Sequence, residues 1–211
     1  MRYRHLAAAA TAALALTVST LPAVAAEEAA PSALAIGASL PMADVKMTGV
    51  DGKEYSFADV RGAKGLLVVF TCNACPWVKA WETRVTEVGN AAAKLGIGMI
   101  AVNPNDPAVV AEDGYDEMKA RAKKLGVRFP YVVDATSGVA RAFGATRTPE
   151  AFLFDKDGKL VYHGTIDDNA KEPKNVKSRY LSDAVIAVAA GKSVAMAETK
   201  SLGCTIKFRK S

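Results

Sequence analysis

The chain has little from which most kinds of site are built. Of its 211 residues three are cysteine and two histidine, and because His5 sits in the N-terminal segment, His163 is the one histidine in the remainder. A structural zinc site closes with four ligands, commonly two C-x-x-C pairs or one pair and two histidines, and a single C-x-x-C with a single histidine does not supply them. His163 alone reads as a surface or packing residue. Blocks of like charge are missing, as are aromatics interleaved with arginines, so the footprint of a nucleic-acid partner is absent. No apolar run reaches the ~20 residues of a membrane-spanning helix; Leu6 to Leu21 offers 16 weakly apolar residues. There is no internal repeat and no low-complexity tract beyond the Ala-rich start.

That start has an order of its own. Arg2 and Arg4 precede an Ala/Leu-rich stretch, Leu6 to Val18, and the small-residue segment AVAAEE follows. This is the layout of a secretory leader cut after Ala25 or Ala26, and the absence of paired arginines or of a lipidatable cysteine points to the general secretory route. The expected organisation is a leader over residues 1–26, a flexible segment over 27–37 and one domain over 38–211, exported to the bacterial periplasm with no membrane span after cleavage. Losing Arg2 and Arg4 takes Lys+Arg from 27 to 25 against 22 Asp+Glu, so the net charge falls from +5 to +3. All three cysteines, Cys72, Cys75 and Cys204, lie in the exported part. In an oxidising compartment an odd number leaves at least one thiol free, exchanging or metal-bound.

The hydrophobic pattern gives the fold class. Val45 to Phe57 carries an Asp51-Gly52 turn between short strands, an N-terminal hairpin. Leu66 to Phe70 is continuously apolar, as in a central strand covered on both faces. Val78, Trp81, Val85, Val88, Ala92 and Leu95 recur at steps of three and four, which is one helical stripe with Trp81 in the core and Gly96 at its end. Strands over Ile97 to Val102, Tyr131 to Val133, Ala151 to Phe154 and Leu160 to Tyr162 are then separated by a helix ending at Gly126, a short helix over Thr136 to Phe143 and the Asp157-Gly158 turn. A last helix, Leu181 to Ala189, closes at Gly191. Alternating strands and helices followed by a hairpin and a helix specify a three-layer α/β sandwich with a mixed sheet.

The chemistry sits in FTCNACPWVK, residues 70–79, where the first apolar strand meets the first long helix. A cysteine is a useful nucleophile as thiolate, and the first turn of a helix offers unpaired N–H groups to that anion. The helix field supplies about 0.3–1 kcal/mol against about 1.36 kcal/mol per pKa unit, so direct hydrogen bonds must do the rest. Proline is best placed at the first helical position, which makes Pro76 that position, Cys75 the N-cap and Cys75 the favoured nucleophile over Cys72. The short ring closed by a Cys72–Cys75 disulfide suits exchange over permanence.

With these residues in place the chain from about Ala38 onward resembles the thioredoxin-like superfamily, in particular the exported peroxiredoxin-like redoxins related to the thiol-specific antioxidant and alkyl hydroperoxide reductase group. FTCNACPWVKAWE, NPND with the later EDGYDEM, GATRTPEAFLFDKDGKLVYHGTIDD and the terminal GCTIKF carry the likeness. It implies a thioredoxin-like fold, no cofactor, and a substrate-binding turn at Thr148 and Pro149 whose cis proline packs on the dithiol. It also implies protein or small-molecule disulfides and a thiol protein as electron donor or acceptor, and a tail in which Cys204 is a third thiol near the pair. The loop Asn103 to Asp113 leaves the carboxyl end of its strand, where α/β folds bind ligands, and either lines the substrate groove or is a solvated turn.

The chain departs from the peroxide-reducing relatives. They carry threonine or serine three residues before the attacking cysteine and proline four before that; here Cys72 and Val68 stand there for Cys75, and Val69 and Gly65 for Cys72. Arg147 is the nearest candidate for a peroxide-positioning arginine. Val69 also replaces the acid that thioredoxins bury before the strand-end phenylalanine, which leaves Glu150 or water to move protons. The leading expectation is an exported thiol-disulfide oxidoreductase with Cys75 attacking and Cys72 resolving. A thiol peroxidase resolving through Cys72 or Cys204 is the alternative. A Cu(I)-binding assembly protein using the same thiolates is the reading from another class.

Overall fold

The computed structural model describes residues 33–210 together with Met1. Apart from Met1, the leader expected over residues 1–26 lies outside the described residues. In chain order the elements are β1 (Met47–Thr48), β2 (Glu54–Tyr55), α1 (Phe57–Val60), β3 (Gly65–Phe70), α2 (Pro76–Ala92), β4 (Ile97–Asn103) and α3 (Tyr115–Leu125). Then come β5 (Tyr131–Val133), α4 (Gly138–Phe143), β6 (Arg147–Thr148), β7 (Glu150–Asp155), β8 (Leu160–Gly164), α5 (Tyr180–Ala189) and β9 (Cys204–Thr205).

The central sheet runs in the order β5-β4-β3-β7-β8. β4 and β5 are parallel, and β7 is antiparallel to both β3 and β8. Lys64 N bonds Gly96 O and Thr71 N bonds Val102 O, at 2.8 and 2.9 Å, so β3 and β4 run in the same direction. All six residues of β3 are buried, the consequence of a central strand with helices on both faces. Alternation then sorts its side chains. Leu67 and Val69 pack with Trp81 of α2 and with Leu181, Ala184 and Val185 of α5. Leu66, Val68 and Phe70 pack with Phe57 of α1 and with Val139, Ala140 and Phe143 of α4. α3 covers the β4–β5 end of the first face through Met118 and Ala122 against Ala101 and Tyr131. This is the mixed-sheet α/β sandwich, and β1 with β2 forms the N-terminal hairpin.

Local differences from the sequence pattern have physical causes. The hairpin ends at Tyr55 because Ser56 and Asp59 form a reciprocal capping box that starts α1 at Phe57. Leu95 is 36% exposed because residues 93–95 tighten into a 3-10 turn, whose three-residue period rotates it off the apolar stripe. α4 begins at Gly138 rather than Thr136: Ser137 is left-handed, with φ 55°, and the Asp134 carboxylate accepts Ala140 N at 2.8 Å. Leu34 and Gly37, expected in the flexible segment, bond Phe143 O and Leu160 O, and Leu34 packs on the core beside Leu40. Gly96, Gly126 and Gly144 do end their helices in the left-handed conformation.

The register of β7 against β3 pairs Glu150 with Phe70, so the turn that enters β7 stands beside the loop that leaves β3. The packing behind that junction centres on Phe143, which is fully buried with Phe57, Phe70, Phe152 and Phe154 at centroid distances of 5.3, 5.2, 5.3 and 5.9 Å. Phe143→Ala is expected to cost about 3–5 kcal/mol by loss of transfer energy and cavity formation. Urea unfolding checks this as a lower midpoint at unchanged slope.

Candidate active site

Residues 71–75 join β3 to α2 and carry the first two cysteines. Cys75 is the N-cap of α2, with φ −64° and ψ 125°, and Pro76 occupies the first helical position. The Cys75 carbonyl accepts the Lys79 N–H at 3.0 Å, while its side chain makes no cap bond, leaving the sulfur free to face elsewhere.

The loop is held from below by one buried carboxylate. Asp113 Oδ1 accepts Asn73 N at 2.5 Å and Ala74 N at 3.3 Å, and Asp113 Oδ2 accepts Asn105 Nδ2 at 2.7 Å. Asn73 in turn donates to Glu112 O at 2.7 Å and accepts from Tyr131 Oη at 3.2 Å. Asn103, Asn105 and Asp113 are all buried. The loop expected to line a groove or be solvated is therefore the support of the dithiol loop. The NPND segment held that signal, but asparagine and aspartate at such positions are ordinary turn formers.

The tail arrives from the other side. β9 pairs antiparallel with β6 so that Cys204 faces Thr148, and Ile206 N bonds Thr146 O at 2.9 Å. Arg147 Nη1 donates to Gly203 O at 2.9 Å, so this arginine ties down the tail. A Cβ on Gly203 would lie 2.2 Å from Thr148 O, which makes glycine a requirement of the close approach. Farther along, Lys207 N bonds Asn105 Oδ1 at 2.9 Å, linking the tail to the Asp113 cluster. The Thr148–Pro149 peptide is cis.

Cys72, Cys75, Cys204, Thr148 and Pro149 thus share one locus. Cys75 Sγ lies 3.2 Å from Thr148 O and 2.7 Å from Cys204 Sγ, while Cys72 Sγ lies 3.2 Å from Thr148 Oγ1. All three cysteines are free thiols. Hydrogen bonding from Cys72 holds the Cys75 thiol well below its ordinary value, against the effect of burial and with help from Cys204. Cys72 moves the opposite way, raised by that same bond, by burial and by the charge of Asp113. Cys204 is raised to about 11 by burial and by its bond to Cys75, although Lys207 and Arg147 pull it down. One thiolate among three sulfurs is the favoured charge state, and Cys75 carries it.

Glu150 does not serve as a free proton carrier. Its Oε1 meets His163 Nε2 at 2.7 Å and Ser201 Oγ at 3.0 Å, and its Oε2 accepts Thr146 N and Arg147 N at 2.9 and 3.0 Å. Burial opposes its charge, but these donors outweigh burial and hold it below its ordinary value. His163 is a packing residue, buried and stacked on Phe152 at 4.5 Å. Beneath Cys72 a small, half-open pocket of about 50 Å³ is lined largely by apolar side chains, among them Val78, Val85, Phe129 and Pro149.

The redoxin family model matches residues 35–201. The thiol-disulfide oxidoreductase ResA of Geobacillus thermodenitrificans is 30% identical over 129 residues, covering 61% of this chain and 68% of the relative. Among solved structures, a hypothetical protein from Sinorhizobium meliloti 1021 superposes with a TM-score of 0.78 at 33% identity, over 85% of this chain and 98% of that one. An uncharacterized conserved protein from Geobacillus kaustophilus gives 0.77 at 34% identity, over 84% and 94%.

The Asp113 clamp has two separable effects. Asp113→Asn replaces one acceptor oxygen with a donor facing donors, and the unsatisfied buried group is expected to cost about 1–3 kcal/mol in denaturant unfolding. It also removes the charge that raises Cys72, so the Cys72 thiol should titrate at lower pH than in the wild type, read by pH-dependent alkylation and peptide mapping.

Proposed function

The chain belongs to the redoxin family and is a thiol-disulfide oxidoreductase, and from that premise we propose that its reaction runs on the Cys72/Cys75 dithiol at the start of α2. The observation that carries this reading is the position of Cys75 Sγ, at the N-cap of α2 beside Cys72 and against the Thr148 carbonyl. A low-pKa thiol supplies thiolate at neutral pH, and Cys75 is the sulfur so placed.

The reaction follows from the two opposed shifts. Cys75 thiolate attacks one sulfur of a substrate disulfide, the substrate S–S bond breaks, and the departing sulfur leaves as a thiolate that takes up a proton. Cys72 then loses its proton, to water or to a departing thiolate, and attacks Cys75 Sγ. The mixed disulfide breaks, the second substrate thiol leaves, and a Cys72–Cys75 disulfide holds the oxidised enzyme. Two electrons pass from dithiol to substrate. Raised by its bond to Cys75 and by burial, the Cys72 thiol stays silent until the mixed disulfide has removed the Cys75 charge beside it. Thr148 and Pro149 frame the sulfurs as the substrate-side turn, with the Thr148 hydroxyl 3.2 Å from Cys72 Sγ.

We place the enzyme outside the cytoplasm, with residues 1–26 as a secretory leader, 27–37 as lead-in and 38–211 as the catalytic domain. The Arg-apolar-small order of the first 26 residues supports this. Among the described residues no helix is long and apolar enough to cross a membrane. Its partners are protein or small-molecule disulfides and a thiol protein that exchanges electrons with the dithiol. Peroxide reduction gains no support, because Cys72 stands where a peroxide-binding hydroxyl is needed and Arg147 is engaged with the tail. No observation favours Cu(I): among the described residues no group of three or more His, Cys, Asp or Glu side chains is arranged as a metal site.

Reduction of a chromogenic or protein disulfide driven by a small dithiol tests the assignment. Cys75→Ser is expected to bring the rate to background and Cys72→Ser to lower it roughly tenfold or more, since the mixed disulfide then waits for an external thiol. A Cys72→Ser, Cys75→Ser double variant as fast as the wild type would sink the reading. Hydrogen peroxide should oxidise Cys75 no faster than thiolate content alone explains, by stopped flow.

A further inference from the structure

The two cysteines of the dithiol are the less accessible of the three: Cys72 is 3% and Cys75 4% exposed, whereas Cys204 is partly exposed. β9 packs beside Cys75 through Cys204 and is fixed on both sides of that residue. Arg147 Nη1 bonds Gly203 O and Ser201 Oγ bonds Glu150 before it. Ile206 N to Thr146 O, Lys207 N to Asn105 Oδ1 and Asp106 N to Lys207 O hold the chain after it. On the β9 side of Cys75 the neighbouring sulfur is Cys204 Sγ, 2.7 Å from Cys75 Sγ.

We infer that Cys204 is a catalytic residue, the thiol through which the oxidised enzyme is recharged: it forms a disulfide with Cys75, and an external thiol of a small molecule or dithiol protein attacks that disulfide at Cys204 Sγ. This rests on the dithiol reading above. Cys204 Sγ and Cys75 Sγ need approach by less than about 1 Å to reach bonding distance. The steps balance. In the oxidised enzyme Cys204, as thiolate, attacks Cys75 Sγ of the Cys72–Cys75 disulfide; the old bond breaks, and Cys72 takes up the proton Cys204 gave up. The external thiolate attacks Cys204 Sγ, the Cys75–Cys204 bond breaks, and Cys75 leaves as thiolate. A second external thiol then attacks the mixed disulfide, releasing Cys204 as a thiol and leaving the external pair as a disulfide, so two electrons enter the protein.

Two features favour attack at Cys204 over attack at Cys75. Cys204 is the more exposed of the two residues, and the leaving group is the one held as a stable anion, which speeds departure. The raised Cys204 thiol is a poor attacking group against outside disulfides, so this sulfur receives attack from the outside rather than initiating it.

The full chain tests this as Cys72→Ser, in which the Cys72–Cys75 bond cannot form. Diamide oxidation followed by a brief pulse of mercaptoethanol, acid quench and tryptic mapping separates the Cys204 peptide SLGCTIK from the peptide of residues 65–79, whose one remaining cysteine is Cys75. The expected result is a Cys75–Cys204 disulfide and then a mercaptoethanol adduct on Cys204 in at least about tenfold excess over Cys75, as leaving-group stability dictates. An adduct on Cys75, or failure of Cys75 and Cys204 to pair, overturns the entry role while leaving the dithiol enzyme intact. Wild-type protein whose three thiols all survive diamide removes both readings. As a second arm that keeps the dithiol, Cys204→Ser should slow reduction of the oxidised enzyme by mercaptoethanol by about tenfold; an unchanged rate counts against the proposal.

Discussion

Two backbone N–H groups, those of Asn73 and Ala74, point at one carboxylate oxygen of Asp113, and the positions of all three sulfurs depend on that contact. It fixes the turn between β3 and α2, and so sets where Cys72 ends and where the helix carrying Cys75 begins. The other carboxylate oxygen binds Asn105, whose own side-chain oxygen binds Lys207 N in the tail. A single buried cluster therefore sets the dithiol loop and the strand that brings Cys204 to it. Burying a charged group is costly unless every lone pair is used, and here the carboxylate has three donors.

The electrostatics follow from that geometry. A helix N-terminus alone contributes too little to make a strong thiolate, and Cys75 has two neighbouring thiols as well. Each stabilises the charge on Cys75 and is itself made harder to ionise, so the three sulfurs divide into one anion and two acids. This division fits the proposed order of the chemistry: attack by Cys75, resolution by Cys72. It also explains how the site manages without the acid that Val69 replaces, since Glu150 is committed to His163, Ser201 and the Thr146 and Arg147 amides.

Much of the fold was legible because it rests on local rules. The apolar run at β3, the three-and-four spacing around Trp81, the glycines at helix ends and the proline after Cys75 each have one strong physical reading, and the structure carries each of them. What local rules miss is local competition: Ser56 and Asp59 start a helix inside the expected hairpin, and a 3-10 turn displaces Leu95. The site was legible only in part. The C-x-x-C at a helix start could be read from the chain, but the approach of Cys204 could not, since 129 residues separate it from Cys75 and only the family likeness of the GC tail pointed there. Asp113 was hidden for a different reason, because an aspartate in a loop says nothing about which amides it will face.

The central claim is that Cys75 alone among the three cysteines is a thiolate at neutral pH. Thiolate absorbance near 240 nm, followed with pH in the fully reduced protein, tests it directly. A thiolate is present above its pKa and lost below it, so one equivalent should appear through a transition near pH about 5, as the lowered Cys75 value requires. Cys204 should follow near about 11, and Cys72 should stay protonated beyond its ordinary range. Cys75→Ser should remove the first step and move the other two to lower pH, since Cys75 helps to raise both. No thiolate below pH ~8, in the range of an unperturbed cysteine, would contradict the account.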